Sequence, residues 1–509
     1  MAISDFDIGG HHGKIERSPV TTLFMPAVQH GSDLFKTTET RRFLAYCQQQ
    51  ATLSNQPKIA SLTVAIAPVA PWAVLAALGR ADQRSFYYAP PKSPATVGIG
   101  TAVDCISAGP RRFEKAQAFV HFWQHQLIYA DSSATALRQA PRGHFFCSAT
   151  FFEEATVKRS TKGIPTAEQS DFEPAYVFVP AVQVTERADG AAVTFNCLMT
   201  ATTDLDRTVT QIYRQLQQLI ETDFAVQRQA PYQVNQCVTK GVADFERAVM
   251  AALQQVHSGQ LHKVVLADVM DVVAPQAVDV GRSLQTLRHN HPDCTVFSMG
   301  NGRGQFFMGA SPERLLSITG GQLVTDALAG SAPRSKTYGI DMQLAQSLLS
   351  SDKERYEHRV VVEFIVQQLR SLGLTPDYKA TPKLLQLLHI QHLHTPISAA
   401  LSNQHRQTVS PFAILAKLHP TPAVAGVPRE QACQLIRQYE TFDRGLYAAP
   451  LGWIDTEGNS EFIVGIRSAL IDGCKARLYA GAGIVAGSEP AKELAEIKLK
   501  LQTLLNALV

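Results

Sequence analysis

The sequence predicts an α+β fold, because runs of strand character and runs of helical spacing are interspersed without the strict alternation that builds a doubly wound parallel sheet. Strands such as Ala175-Tyr-Val-Phe-Val-Pro and Ala192-Val-Thr-Phe-Asn-Cys-Leu recur between polar loops. At 509 residues, with 45% apolar and 18% charged side chains, the chain can bury a large core, either in several domains or around one compact body.

Taken in order, the first informative segment is the apolar stretch 59–78, long enough to suggest a membrane span. Pro68 and Pro71 break it. Leu62-Thr-Val-Ala-Ile-Ala-Pro reads as a strand, and Pro71-Trp-Ala-Val-Leu-Ala-Ala-Leu-Gly as a short helix with proline at its start and glycine at its end. No span is expected. Helical spacing returns over 208–219, Ala230-Pro-Tyr-Gln-Val-Asn-Gln reads as a linker, and Val242–His257 as the next helix. The portion 1–235 is expected to complete the same α+β body as 236–509, where the motifs are dense. There is no internal repeat and no low-complexity segment.

Composition narrows the function. The net charge of +3 is nearly neutral for this length, and Lys and Arg are scattered without a basic run, so neither nucleic acid nor an anionic membrane is expected as partner. The eight cysteines lie far apart with no CxxC, and Met1-Ala-Ile-Ser-Asp-Phe-Asp carries no secretory pattern, which fits reduced thiols in a cytoplasmic protein. HExxH, GxSxG and GxxxxGK[ST] are absent. Gly481-Ala-Gly-Ile-Val-Ala-Gly follows a strand and precedes a helix, but only 22 residues follow Gly487, too few for a dinucleotide-binding unit. Those glycines still let backbone approach an anion closely.

Two acidic pairs carry the chemistry. Glu354 and Glu357 stand three residues apart in Asp-Lys-Glu-Arg-Tyr-Glu-His, as do Glu493 and Glu496 in Pro-Ala-Lys-Glu-Leu-Ala-Glu. That spacing puts both carboxylates of each pair on one helical face. Taken alone, such a pair is usually a solvated face. After the first pair, however, the stripe continues through Val361, Ile365 and Leu369, so these acids begin a face expected to be buried. Carboxylates converging from two helices would offer an all-oxygen site to a hard cation such as Mg²⁺.

Two further residues are candidates for proton transfer. Lys263 opens the alternating segment Lys-Val-Val-Leu-Ala-Asp-Val-Met-Asp; it reads either as a snorkelling surface lysine or as a desolvated amine able to act as a base. Glu313, in Gly309-Ala-Ser-Pro-Glu, reads either as a turn residue or, if buried, as a protonated acid.

Nine segments in order together resemble the chorismate-utilising enzymes over about residues 240–509. They are Lys263-Val-Val-Leu, Gly309-Ala-Ser-Pro-Glu, Ala327-Leu-Ala-Gly-Ser, Lys353-Glu-Arg-Tyr-Glu-His, Gln391-His-Leu, His419-Pro-Thr-Pro-Ala-Val-Ala-Gly-Val-Pro, Arg444-Gly-Leu-Tyr, Phe462-Ile-Val-Gly-Ile-Arg and Tyr479-Ala-Gly-Ala-Gly-Ile-Val. The first half matches loosely, as at Phe86-Tyr-Tyr, where the family often has Phe-Tyr-Trp. The fold this resemblance implies is α+β, with large antiparallel sheets and helices in two subdomains around a central cleft.

Within that family the residues resemble most the members that isomerise chorismate to isochorismate. Lys263 stands where those enzymes carry a water-activating lysine. Ala329 stands where aminodeoxychorismate synthases carry a nucleophilic lysine, and Ala423 where salicylate synthases tend to have threonine.

The resemblance implies Mg²⁺ held by Glu357 and Glu496, with Glu354 and Glu493 in support. It makes Lys263 the base and Glu313 the acid. His392, which taken alone reads as a structural histidine in a helical apolar segment, and Ala423 would line the ring pocket, Tyr447 and Arg467 contact a carboxylate, Lys500 add positive charge, and Gly481 and Gly483 donate backbone amides. Chorismate would be the substrate, with no obligatory protein partner. Asp268, Asp326, Ala449 and Leu494 depart from the family's usual residues, and none of these departures removes a proposed catalytic group.

Overall fold

A computed structural model of the chain describes residues 22–25, 37–132, 143–154, 172–222, 236–238, 242–402, 405 and 408–508. Of the expected linker 230–236, residues 230–235 lie outside them, as does the segment beginning at Met1, and Gln236 opens the short strand Gln236–Val238. Among the described residues two large sheets, of 14 and 10 strands, carry the molecule. Their pairings are antiparallel except at one edge, where Leu127–Ser132 runs parallel to both Thr22–Met25 and Lys58–Ile66. The α+β expectation with large antiparallel sheets is borne out.

Both halves of the chain enter each sheet. In the larger one, Arg84–Ala89 pairs with Thr295–Asn301, and in the smaller one Phe145–Ala149 pairs with Pro450–Ile454. These strands bury both faces: Phe86, Tyr87, Tyr88, Phe145 and Phe146 are all at most 1% exposed. Long aromatic strands of this kind need cover on either side, which helices and the opposing sheet supply.

The apolar stretch at 59–78 divides as expected into the strand Lys58–Ile66 and the helix Pro71–Leu78. Gly79 ends that helix in extended backbone, φ −70°, and its N–H donates to the Leu75 carbonyl; a Cβ there would come within 2.8 Å of Leu75 Cδ1. Among the described residues no helix is long and apolar enough to cross a membrane. The seven cysteines whose side chains are described are all free thiols.

Two local expectations are corrected. The alternation in Lys263–Val273 suggested a half-buried strand, yet its first eight residues are all buried. The helices Val242–His257, Arg429–Tyr439 and Pro490–Leu508 all pack on it, so the polar residues of the pattern turn inward as well. The segment around His392, read as helical, is the strand Ile390–Ala400, paired along its length with Gln322–Pro333.

Candidate active site

The cleft forms where the larger sheet's Lys263–Val273 and Lys475–Ile484 strands meet the helices Asp352–Ser371 and Pro490–Leu508 and the smaller sheet's Gln322–Pro333. It encloses about 850 Å³ of space between atoms, part of it open to solvent. Twelve of the thirteen sequence-predicted site residues line its wall, and the thirteenth, Lys263, lies directly behind Glu357.

Lys263 is wholly buried, and its Nζ stands 2.8 Å from Glu357 Oε1. This contact is an ion pair without hydrogen-bond geometry, so the ammonium group is otherwise unpartnered. The surface alternative for Lys263 is therefore ruled out. Glu313 is 3% exposed and held by its backbone: its N–H donates to Ser311 Oγ at 3.2 Å and its carbonyl accepts from Val464 N–H at 3.1 Å. Burial raises its carboxyl to about 8, with Asp326 pushing the same way and Lys263 and Arg467 opposing. Glu313 is thus a neutral acid at pH 7.

Arg467 adopts a left-handed backbone, φ 51°, uncommon outside glycine, which aims its side chain across the cleft. Its Nη2 donates to His392 Nε2 at 2.7 Å. That bond fixes the tautomer: Nε2 accepts, so Nδ1 carries the proton facing the Gly330 carbonyl at 3.3 Å. Burial, then Arg467 and Lys500, hold the imidazole far below its ordinary range and keep it neutral. Tyr447 is buried and stacked on Tyr479, with ring centroids 5.1 Å apart and planes 13° from parallel.

Glycine is required twice on the strand opposite Lys263. Gly481 and Gly483 pair with Ala267 and Val265. A Cβ on Gly483 would overlap the Glu357 carboxylate, and one on Gly481 would come within 2.8 Å of the Tyr447 hydroxyl. Both positions leave space for a carboxylate or hydroxyl, as expected of a backbone approached closely.

The acidic helices are built by their caps. Ser351 Oγ accepts from Glu354 N–H at the start of Asp352–Ser371, and Glu354 turns its own carboxylate into the cleft, where Oε2 accepts from Ser331 N–H at 3.0 Å. Along the same helix Val361, Ile365 and Leu369 are at most 1% exposed, as the stripe predicted. On the second helix, Glu496 Oε1 receives both Ser331 Oγ and Lys500 Nζ at 2.7 Å. Burial opposes the charge on Glu496, but Lys500 and Ser331 outweigh it and hold the carboxyl below its ordinary value. Burial raises Glu354 and Glu493, with Glu357 adding to the first and Glu496 to the second.

Four carboxylates thus face three lysines: Lys263 on Glu357, Lys500 on Glu496, and Lys353 between Glu493, 2.8 Å, and Glu354, 3.4 Å. Burial, and to a lesser degree mutual repulsion, raises Glu354 and Glu493, a cost that a divalent cation would offset, and an oxygen-only donor set suits a hard ion. Among the described residues no three acidic, histidine or cysteine side chains form a ready-made metal cluster. The fit is to an ion taking one or two carboxylates and completing its shell with water or substrate oxygen.

Sequence reasoning missed four contributors. Lys353 looks like a solvated lysine in a helix's first turn, and nothing in its spacing reveals Glu493, 140 residues away. Ser331 and Tyr479 sit within quoted motifs but carry no signal of their own. Arg444 lies behind the wall, 1% exposed: it pairs with Glu440, and its Nη1 and Nη2 donate to the carbonyls of Val424 at 2.7 Å and Val265 at 2.9 Å. Glu440 in turn accepts from Ala267 N–H at 2.8 Å.

Comparison with known proteins agrees with this geometry. Bacillus subtilis isochorismate synthase MenF is 36% identical over 331 residues, covering 65% of this chain and 69% of that protein. The salicylate biosynthesis isochorismate synthase of Pseudomonas aeruginosa is 42% identical over 269 residues, covering 52% of this chain and 54% of that one. The solved structure of Escherichia coli MenF, a menaquinone-specific isochorismate synthase, shares the fold with a TM-score of 0.70 at 24% identity, over 93% of this chain and 99% of that one. The chorismate binding enzyme pattern itself matches residues 44–509, and with a relative at 36% identity across 69% of its own length, the chain belongs to that family.

Proposed function

We propose that this protein is a cytoplasmic, Mg²⁺-dependent isochorismate synthase, an isomerase converting chorismate to isochorismate. The observation that carries this reading is the pairing of a buried amine, Lys263, with a buried neutral acid, Glu313, around one cleft lined by four glutamates, Arg467 and Tyr447. The menaquinone type is favoured by the longer match to MenF, 331 residues against 269 for the Pseudomonas relative.

In this reading Lys263, once its ammonium has released a proton to solvent and it stands as the neutral amine, takes a proton from the attacking water as the water oxygen bonds to C2. The ring electrons shift and the C4–O bond breaks, while Glu313 gives its proton to the departing hydroxyl on the opposite side of the ring. One water enters and one leaves, so the reaction runs in both directions. Arg467 and Tyr447 hold a substrate carboxylate, Lys500 adds positive charge, and amides of Gly481 and Gly483 donate further bonds. His392 and Ala423 bound the ring. Glu357 and Glu496 would hold Mg²⁺, with Glu354 and Glu493 supporting directly or through water, and the ion would neutralise the ring carboxylate.

Incubation with chorismate and Mg²⁺, with a chelator control, tests the proposal. A metal-dependent mixture of chorismate and isochorismate without pyruvate is expected. Salicylate with pyruvate would move the protein to the lyase branch, and unchanged chorismate would overturn the reading.

A further inference from the structure

We propose that a second cavity, beside the reaction cleft and sharing Arg467 with it, binds a small carboxylate with a compact apolar body, and that this occupant and the substrate oppose one another through Arg467. The site rests on the cavity alone; the opposition rests on the reading above, in which Arg467 holds a substrate carboxylate.

The cavity encloses about 490 Å³ of space between atoms, part of it open to solvent, which is within the usual range of small-molecule sites. It lies between the helices Val280–Asn290 and Pro490–Leu508 and the start of the strand Ile390–Ala400. Arg467 and Lys500 are the two residues that line both this cavity and the reaction cleft. The walls divide by chemistry. Leu287, Ile390 and Leu504 are buried and make the interior apolar, while Leu388, 59% exposed, and the exposed His389 stand at the mouth. Every titratable side chain that lines the cavity is basic: His291, His389, Arg467 and Lys500. The reaction cleft is lined by glutamates, whereas this cavity has no carboxylate among its described lining residues.

The positive charge there is not offset from within the protein. Lys500 is committed, to Glu496 at 2.7 Å and to the Gly481 carbonyl at 2.8 Å. Arg467 is not. Its side-chain partners, His392 at 2.7 Å and the Cys294 thiol, are both neutral, and among the described residues no carboxylate pairs with it. His291 reports the same field, since burial, then Arg467 and His389, lower its imidazole to about 4. A buried guanidinium with N–H donors to spare selects a carboxylate over a neutral molecule, and the leucine and isoleucine walls select an apolar body over a bare inorganic anion. One guanidinium serves both spaces. Two carboxylates drawn to it from adjacent cavities repel each other where little water screens them, so each weakens the other's binding, reciprocally.

The test uses 4-methylpentanoate, a carboxylate on a branched aliphatic body, and its neutral amide, 4-methylpentanamide. Calorimetry on the full chain without substrate is expected to show one molecule of the carboxylate bound with a Kd below about 5 mM, and the amide not bound. His389→Glu and Leu388→Glu place a negative charge at the mouth on exposed side chains that do not line the reaction cleft. Each should weaken the carboxylate at least about fivefold and change the KM for chorismate by less than about twofold. In wild-type kinetics the carboxylate should raise KM without lowering kcat, and His389→Glu should abolish that effect. Absence of binding, or equal binding of the amide, overturns the site. Binding undiminished in both mouth variants places the carboxylate in the reaction cleft and overturns it equally. Binding at the cavity with no effect on KM overturns the opposition. If chorismate is not turned over at all, the functional reading fails while calorimetry on the mouth variants still decides the site.

Discussion

Lys263 Nζ stands 2.8 Å from Glu357 Oε1 on a side chain that solvent does not reach, which ties the proposed base to a proposed metal ligand. Lys263→Ala removes the proton acceptor and leaves Glu357 facing an apolar gap. Isomerisation is expected to fall by about 10²–10⁴-fold, the usual worth of a positioned base. Product chromatography at saturating chorismate checks it, and activity within about threefold of wild type would exclude Lys263 as the base.

Glu313 gives a pH prediction whose sign follows from burial. Its carboxyl sits at about 8 against an ordinary 4.5, so the folded protein keeps a proton that the unfolded chain releases between those values. The neutral acid is present below about 8, and turnover is expected to decline as pH rises through that value. Stability moves the same way: the cost of burying Glu313 grows from pH 4.5 upward and levels off above 8, reaching roughly 5 kcal/mol. Glu313→Gln should therefore lose the acid's contribution and raise Tm relative to wild type at pH 9 but not at pH 4. A Tm difference independent of pH would contradict the buried neutral acid.

Much of the molecule was legible because its signals are local. Proline at 68 and 71 divides the apolar stretch by backbone rules alone, and the stripe from Glu354 to Leu369 reports a face that is in fact buried. What stayed hidden depends on what covers an element. Lys263–Val273 keeps an alternating pattern although three helices bury both of its faces, and Lys353 acquires its role only through Glu493 on a helix far away in sequence. The left-handed backbone at Arg467 left no trace either, since its residue type disfavours that conformation and only the surrounding fold enforces it.

Arg444 and Glu440 form an ion pair at most 5% exposed that also holds the backbone of Val265, Ala267 and Val424. Val265 and Val424 line the cleft, so the pair positions its wall from behind. Arg444→Met strands the Glu440 charge and two carbonyls, and is expected to cost about 3–5 kcal/mol in denaturant unfolding. Arg444→Met/Glu440→Gln removes both charges and should recover most of that loss while still raising KM, because the Val265 and Val424 carbonyls remain unheld. Full recovery of KM in the double variant would show the pair to be structural only.

Gly483→Ala separates the site from the scaffold more sharply. Gly483 lies inside the strand Lys475–Ile484 and does not occupy the left-handed backbone region, so alanine is conformationally acceptable there and would ordinarily favour a strand by about 0.5–1 kcal/mol. Its Cβ, however, would overlap the Glu357 carboxylate and come within 3.2 Å of Lys263 Cε. The methyl group therefore strikes the two residues on which the metal and base roles converge and pushes Glu357 off its position. Activity is expected to drop at least about 10²-fold, with Mn²⁺ affinity falling in parallel, as misplacement of reacting groups by about 1 Å implies. Gly481→Ala meets the Tyr447 hydroxyl first, at 2.8 Å, with Val265 Cγ1 at 3.3 Å and the Leu266 carbonyl at 3.4 Å, and should act mainly on KM. Steady-state kinetics with Mn²⁺ titration of both variants distinguishes the two glycines. Equal effects on metal affinity would mean that Gly483 serves the strand rather than Glu357.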